Sequence, residues 1–159
     1  MHDPCEPRPP GLEFCFEVTA ELAAPMVIES GPQVVRRIIP ITGGTVKGPR
    51  FQGRIVPGGA DWQYVRHDGV LWLEARYTIE SHDGVHIMLT NTGMRHGPPA
   101  IVAQLARGEP VPRSEYYFRT TATLEAPAAS AYDWMNRALF LGNAERRANA
   151  AVVQFYRVT

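Results

Sequence analysis

Leu12, Phe14, Phe16 and Val18 alternate with Glu13, Cys15, Glu17 and Thr19, the two-residue period of a strand with one buried face. This is the clearest alternation in the chain and predicts a strand over Leu12–Leu22. Ala23-Ala24-Pro25 interrupts it, a short apolar piece Met26–Ile28 follows, and Gly31-Pro32 turns the chain again. Gln33–Thr42 is a β-rich run whose Pro40 suits an edge or a bulge, because proline cannot donate to a ladder. Gly43-Gly44 and Gly48-Pro49 bracket an expected tight loop, and Phe51–Val56 reads as a strand ending at Pro57-Gly58-Gly59. A three-strand meander spans 61–92. Gly97-Pro98-Pro99 then opens a helical turn or two over Ala100–Arg107, placed as a lid or crossover. Ser114–Glu125 returns to β character, Ser130 caps an expected short helix Ser130–Leu139, and Ala150–Val158 closes the chain as a strand. About eight strands at turn-punctuated spacing, with one or two short helices, predict an all-β antiparallel barrel or sandwich. The expected organisation is a flexible proline-rich leader over 1–10 and one domain over 11–159.

Two Asp-Gly pairs set the register of the meander. Read as two-residue primed turns, Asp68-Gly69 places Gln63 opposite Glu74 and Asp61 opposite Arg76, and Asp83-Gly84 places Arg76 opposite Asn91. Directly opposed residues share a face, so an acid, a guanidinium and an amide form one row across three strands. The same face carries Gln63, Val65, Trp72, Glu74, Thr78, Ile87 and Leu89, a mixed set suited to a pocket lining. The other face, with Trp62, Tyr64, Leu71, Leu73, Ala75, Tyr77, Ile79 and Met88, is greasier. Two readings stay open: a polar row inside a lumen, or a greasy core with Asp61 and Arg76 as a solvated cross-strand pair of little energetic weight. A bulge at either turn shifts the count by one and breaks the row.

Composition narrows the function. At 159 residues the chain is long enough to bury a core without disulfides. With 16 basic and 16 acidic residues the formal charge is zero, so no global field draws nucleic acid or an anionic membrane. A small, uncharged or mildly polar hydrophobic ligand is the better expectation. Two cysteines, Cys5 and Cys15, cannot supply a four-ligand metal site, and the default is a reduced, cytoplasmic setting without signal peptide or membrane span. The glycine-rich loops lack the context of a phosphate-binding fingerprint. His82 and His86 flank a turn without a metal-binding pattern, and no nucleophile elbow is present.

Ile39-Pro40-Ile41-Thr42-Gly43-Gly44, Gly53 with Pro57-Gly58-Gly59-Ala60-Asp61-Trp62, Ala75-Arg76-Tyr77, Asp83-Gly84, Asn91-Thr92-Gly93, Tyr117-Phe118-Arg119-Thr120 and Trp134-Met135-Asn136-Arg137 together resemble the family of small β-barrel proteins known as domain of unknown function 3237. The resemblance covers nearly all of the chain after Gly11. It implies a closed or nearly closed antiparallel barrel, often dimeric, and no established activity. The motif positions it carries over are Asp61, Trp62, Arg76, Asn91 and Arg119.

In a lumen, Asp61 beside Arg76 serves as hydrogen-bond acceptor or weak base, while a desolvated, unpaired Asp61 rises toward the range of a general acid. Arg76 stabilises a developing enolate or holds a carboxylate, and Asn91 orients the group. Trp62, Trp72, Glu74, Tyr77, His96 and Arg119 are the expected substrate-binding residues, with Arg119 suited to a carboxylate. The leading expectation is a lyase, isomerase or cyclase acting on a hydrophobic carbonyl compound, using no metal and no organic cofactor, in a homodimer. The alternative is a barrel that binds such a molecule without transforming it.

Overall fold

The computed structural model describes residues 6–30 and 34–159. The expected turn at Gly31-Pro32, together with Cys5 and residues 1–5 of the expected leader, lies outside the described residues. Among the described residues nine strands form one antiparallel sheet: β1 Leu12–Leu22, β2 Met26–Ser30, β3 Val34–Lys47, β4 Gly53–Val65, β5 Leu71–Ser81, β6 His86–His96, β7 Tyr117–Glu125, β8 Phe140–Arg146 and β9 Ala150–Val158. Their order is β1-β9-β8-β7-β6-β5-β4-β3-β2, and β1 also pairs with β3, closing eight strands into a barrel with β2 as a flank. The first half of β3 pairs with β2 and the second half with β1. Closure leaves the eight barrel strands without open edges.

The glycine and proline clusters bend strands rather than end them. β3 continues through Gly43-Gly44 with a shift of register between Ile41 and Thr45, and β4 joins the two pieces expected on either side of Pro57-Gly58-Gly59. Pairing of β4 with β5 slips between Val56 and Ala60, and Gly58 has φ +115°, the geometry of a bulge that turns a barrel corner.

The two Asp-Gly turns are not primed. Only their glycines take positive φ, +84° at Gly69 and +83° at Gly84, and no non-glycine residue among those described does so. A type I′ turn needs positive φ at the aspartate as well. Each loop instead has three residues, His67-Asp68-Gly69 and His82-Asp83-Gly84. The first is closed by Arg66 N to Val70 O and Gly69 N to Arg66 O, the second by the equivalent bonds from Ser81 and Gly84. The extra residue moves each register by one, so Asp61 faces Ala75 and Ala75 faces Asn91. Because both hairpins slip together, Asp61 and Asn91 stay on one face. Arg76 turns to the other.

The lumen is therefore lined by the greasy face of β5, Leu71 to Ile79, together with the mixed faces of β4 and β6. Its far end is plugged by Phe16, Phe51, Phe140, Phe155 and Met135, all almost fully buried. Phe16 lies 5.3 Å from Phe51 and 5.1 Å from Phe155, ring centre to ring centre. The segment expected as a helix, Ser130–Leu139, holds only a 3-10 turn, Asp133–Arg137. Ser130 accepts from Tyr132 N, and Asn136 is pinned to both backbone groups of Ala126. The strand β8 follows at once, a strand the sequence pattern had not separated from that helix. The opposite end of the barrel is crossed by α1, Pro99–Ala106, whose Leu105 is buried.

Candidate active site

Under α1 the barrel mouth opens into a cavity of about 310 Å³ lined by Arg37, Ile39, Gln63, Arg95, Leu105 and Arg146, with Gly108, Ala148 and Asn149 at its rim. β3, β4, β6 and β8 each aim one polar side chain into it. Asp61 lies a step deeper, opposite Ile39 and Ala75. A relay connects it to the cavity: Arg37 Nη2 donates to Gln63 Oε1 at 2.7 Å, and Gln63 Nε2 donates to Asp61 Oδ2 at 2.6 Å. With an acceptor at one end and a donor at the other, the Gln63 amide has one orientation that satisfies both neighbours.

Four polar atoms of this interior are shut off from solvent without a hydrogen-bond partner: Arg37 Nε, Asp61 Oδ1, Asn91 Oδ1 and Thr120 Oγ1. Each such group costs about 1–3 kcal/mol. Among the described residues, no carboxylate lies within ion-pair distance of Arg37, Arg95 or Arg146, and no cation within that distance of Asp61. Burial accordingly pushes the Asp61 carboxyl above the usual aspartate range, opposed by the Gln63 hydrogen bond and by the charges of Arg95, Arg37 and Arg146. Burial, and then the neighbouring Arg146 and Arg37, pulls Arg95 down to about 10. Arg37 and Arg146 are also lowered by burial. Tyr77 is raised, by burial first and then by the Asp61 charge. A poised carboxylate facing three desolvated guanidiniums can move a proton and hold the negative charge that results.

Of the residues expected at the site, the structure brings Asp61, Asn91 and Tyr77 into the lumen, Asn91 and Tyr77 both buried. Arg76 is corrected to the outer wall, where its Nη2 sits 2.6 Å from Glu74 Oε1 and most of the side chain is in water. Trp62 and Glu74 also face outward. Trp72 and Arg119 line a separate outer groove of about 320 Å³ with Met94, Tyr117 and Leu141. His96 stacks on Tyr117 at 4.8 Å, and Arg119 lies 5.5 Å from the same ring. His86 pairs with Glu80 on the surface. No cluster of three or more His, Cys, Asp or Glu side chains suited to a metal occurs among the described residues, and no helix there is long and apolar enough to cross a membrane.

Arg37, Arg95 and Arg146 are the residues that sequence reasoning missed. The signal was available: Arg95 lies two and four residues beyond Gly93 and Asn91, and Arg37 two before Ile39, all in lumen-facing phase. Arg146 carries no such signal, because it ends β8, the strand that the sequence pattern had not separated.

These features define a closed antiparallel β-barrel with one end plugged by aromatic rings and the other opening on a buried carboxylate under an arginine-lined mouth. The chain belongs to the family described as "Protein of unknown function (DUF3237)", whose match spans residues 10–158. It is 38% identical over 154 residues to the UPF0311 protein RPA1785 of Rhodopseudomonas palustris, an alignment covering 94% of this chain and 98% of that one. The crystal structure of that conserved protein of unknown function superposes with a TM-score of 0.90 at 36% identity, over 97% of this chain and all of the other. A more remote relative is the hydroalkoxylation enzyme phnH of Penicillium herquei, 29% identical over 86 residues, covering 54% of this chain and 57% of that protein. The crystal structure of an enzyme from Penicillium herquei shares the fold, with a TM-score of 0.73 at 20% identity over 97% of this chain and 98% of the other.

Proposed function

We propose that the barrel mouth is an active site for acid–base chemistry on a small hydrophobic carbonyl compound, of the lyase, isomerase or cyclase type. The observation that carries this reading is Asp61: a carboxylate with one oxygen orphaned and no ion pair, beneath three guanidiniums. A purely structural carboxylate would be ion-paired, because leaving one of its oxygens buried and unsatisfied is costly to a fold.

The charge around the site selects among reactions. Three guanidiniums oppose a carbocation and favour an oxyanion, so protonation of an isolated alkene is disfavoured and addition to a carbonyl-conjugated double bond is favoured. In that reaction a substrate hydroxyl loses its proton to the Asp61 carboxylate as its oxygen bonds to the β-carbon. The π electrons move onto the carbonyl oxygen as an enolate facing the arginines, and Asp61 returns the proton to the α-carbon. The name of the Penicillium relative, an enzyme that adds an O–H across a double bond, supports this class. Gln63 stands between Asp61 and the cavity, so its side chain must swing aside for contact. The same residues run the reverse elimination. The protein is further proposed to act as a homodimer in the cytoplasm.

The test is turnover of hydroxyaryl enones, followed by absorbance and by the ring-closed product. Asp61→Asn is expected to lower kcat by about 100-fold or more, the usual weight of a positioned acid or base, with KM changed by no more than about threefold. Equal loss of affinity and turnover would favour the non-catalytic binding barrel.

A further inference from the structure

We propose that the mouth recognises a small organic carboxylate, so that the substrate is a carbonyl compound carrying a carboxylate of its own. This rests on the active-site reading above and names the class of molecule it takes. It also revises the expectation, drawn from overall charge, of an uncharged ligand: the chain is neutral as a whole, but its cavity is not.

Arg37, Arg95 and Arg146 enter the same cavity from three different strands, and none has a carboxylate within ion-pair distance among the described residues. The other arginines at the rim are accounted for: Arg107 pairs with Glu109 and Arg147 with Glu145, both outside. Even with Asp61 ionised, the site keeps an excess of two positive charges. One developing enolate uses one guanidinium. The remaining charge needs an anion present from the start, before any bond changes. Arg37 lines the cavity with its Nη2 held by Gln63 and its Nε unpartnered, and a guanidinium without a carboxylate is the side chain suited to gripping one. Arg146 is braced by its own hairpin, donating to the carbonyl of Ala150 at 3.0 Å, which leaves the rest of its head for the cavity. The Arg95 guanidinium makes no hydrogen bond among the described residues and lies 5.7 Å from the Phe118 ring, an aromatic support that fixes its direction without neutralising it.

Size limits the ligand further. A cavity of about 310 Å³ is at the small end of ligand sites, which run from about 300 to 1,000 Å³. One or two rings fill it. Ile39 and Leu105 supply apolar patches in a lining that is otherwise mainly polar, so a small carboxylate with one flat apolar side fits it.

The experiment uses benzoate and its neutral counterpart benzamide as probes, with binding measured by calorimetry and by the shift of the thermal midpoint. Benzoate is expected to bind at least about tenfold more tightly than benzamide and to weaken as salt rises. Arg95→Met and Arg146→Met should each lose about tenfold or more in benzoate affinity while keeping the far-ultraviolet spectrum of a folded barrel, and Arg95→Lys should restore part of it. Equal affinity for the two probes, binding of neither, or full benzoate affinity in both methionine variants would overturn the proposal. Asp61→Asn separates it from the catalytic reading: that variant should bind benzoate at least as tightly as the native protein, since a negative neighbour has been removed. If it also turned over enones normally, the acid–base reading would fail and the anion site would stand.

Discussion

Asp61 is held under two opposed influences, burial that favours its neutral form and three guanidiniums with one amide donor that favour its charge. Burial prevails. The folded protein therefore keeps the Asp61 proton more tightly than the unfolded chain, whose aspartates titrate near about pH 4. Between that value and the raised folded one, folding takes up a proton, and stability falls as pH rises. The stabilising contribution is complete below the unfolded value and gone above the folded value. The groups around Asp61 in this balance are Arg37, Arg95, Arg146, Gln63 and Tyr77. Asp61→Asn removes the titration but keeps the shape, so the stability difference between variant and native protein isolates it. In urea unfolding the variant should be the more stable of the two near neutral pH, and the gap should close toward about pH 4. A gap independent of pH would show that Asp61 does not titrate in this range. Combined with the turnover loss expected of the same variant, a closing gap would mark a residue retained for chemistry at a cost in stability.

At the scale of elements, the hairpin turns decide what the lumen contains. Neither Gly69 nor Gly84 has any heavy atom within 4 Å of where a Cβ would stand, so replacing them tests backbone conformation alone. Gly69→Ala and Gly84→Ala are each expected to cost about 1 kcal/mol, the price of an L-residue in the left-handed region, and Gly84→Asn less, because asparagine tolerates that region best. Urea midpoints with an unchanged m-value would confirm it. Losses above about 3 kcal/mol would mean that the register itself had slipped. The same turns show how far the sequence could be read. Alternation over Leu12–Leu22 located β1 to the residue, but a bulge between Phe14 and Phe16 leaves Leu12 and Phe14 exposed and buries Cys15; the closing strand Ala150–Val158 matched β9, and the meander was recognisable from its Asp-Gly pairs. An Asp-Gly pair, however, serves a two-residue primed loop and a three-residue loop with a glycine bulge equally well, and only the conformation at Asp68 and Asp83 separates them. That single ambiguity exchanged Arg76 for Ala75 in the lumen. Likewise Gly43-Gly44 and Pro57-Gly58-Gly59 carry the composition of loops, yet closure of the barrel uses them as bends. Asp61, Asn91 and Tyr77 were legible as lumen candidates or near neighbours of it; Arg95 shares the phase of Asn91 and Arg37 that of Ile39, but an arginine on a strand looks the same whether it points to water or to a cavity, and Arg146 lies on a strand that was not recognised.

Across the whole barrel the two ends are built for different tasks, which makes a separable prediction. The plug around Phe16 is apolar, aromatic and almost fully buried. The mouth holds orphaned polar atoms and like charges. On β3, which touches both, Arg37 and the Lys47 neighbourhood of the plug are ten residues apart, on the order of 30 Å along the strand. Perturbations so far apart should add. Phe16→Ala empties a fully buried site between Phe51, Phe140 and Phe155 and is expected to cost about 3–5 kcal/mol, with benzoate affinity unchanged in the fraction that remains folded. Arg95→Met should do the reverse. It relieves repulsion from Arg146 and Arg37 and returns a desolvated cation to an apolar side chain, so stability should be unchanged or higher, while benzoate affinity falls. The double variant is the deciding measurement. A stability within about 0.5 kcal/mol of the sum of the single effects would establish that plug and mouth act independently, with folding strength drawn from one and recognition from the other. Coupling well beyond that figure would mean that the charge cluster at the mouth helps hold the barrel closed, and that its arginines are structural before they are functional.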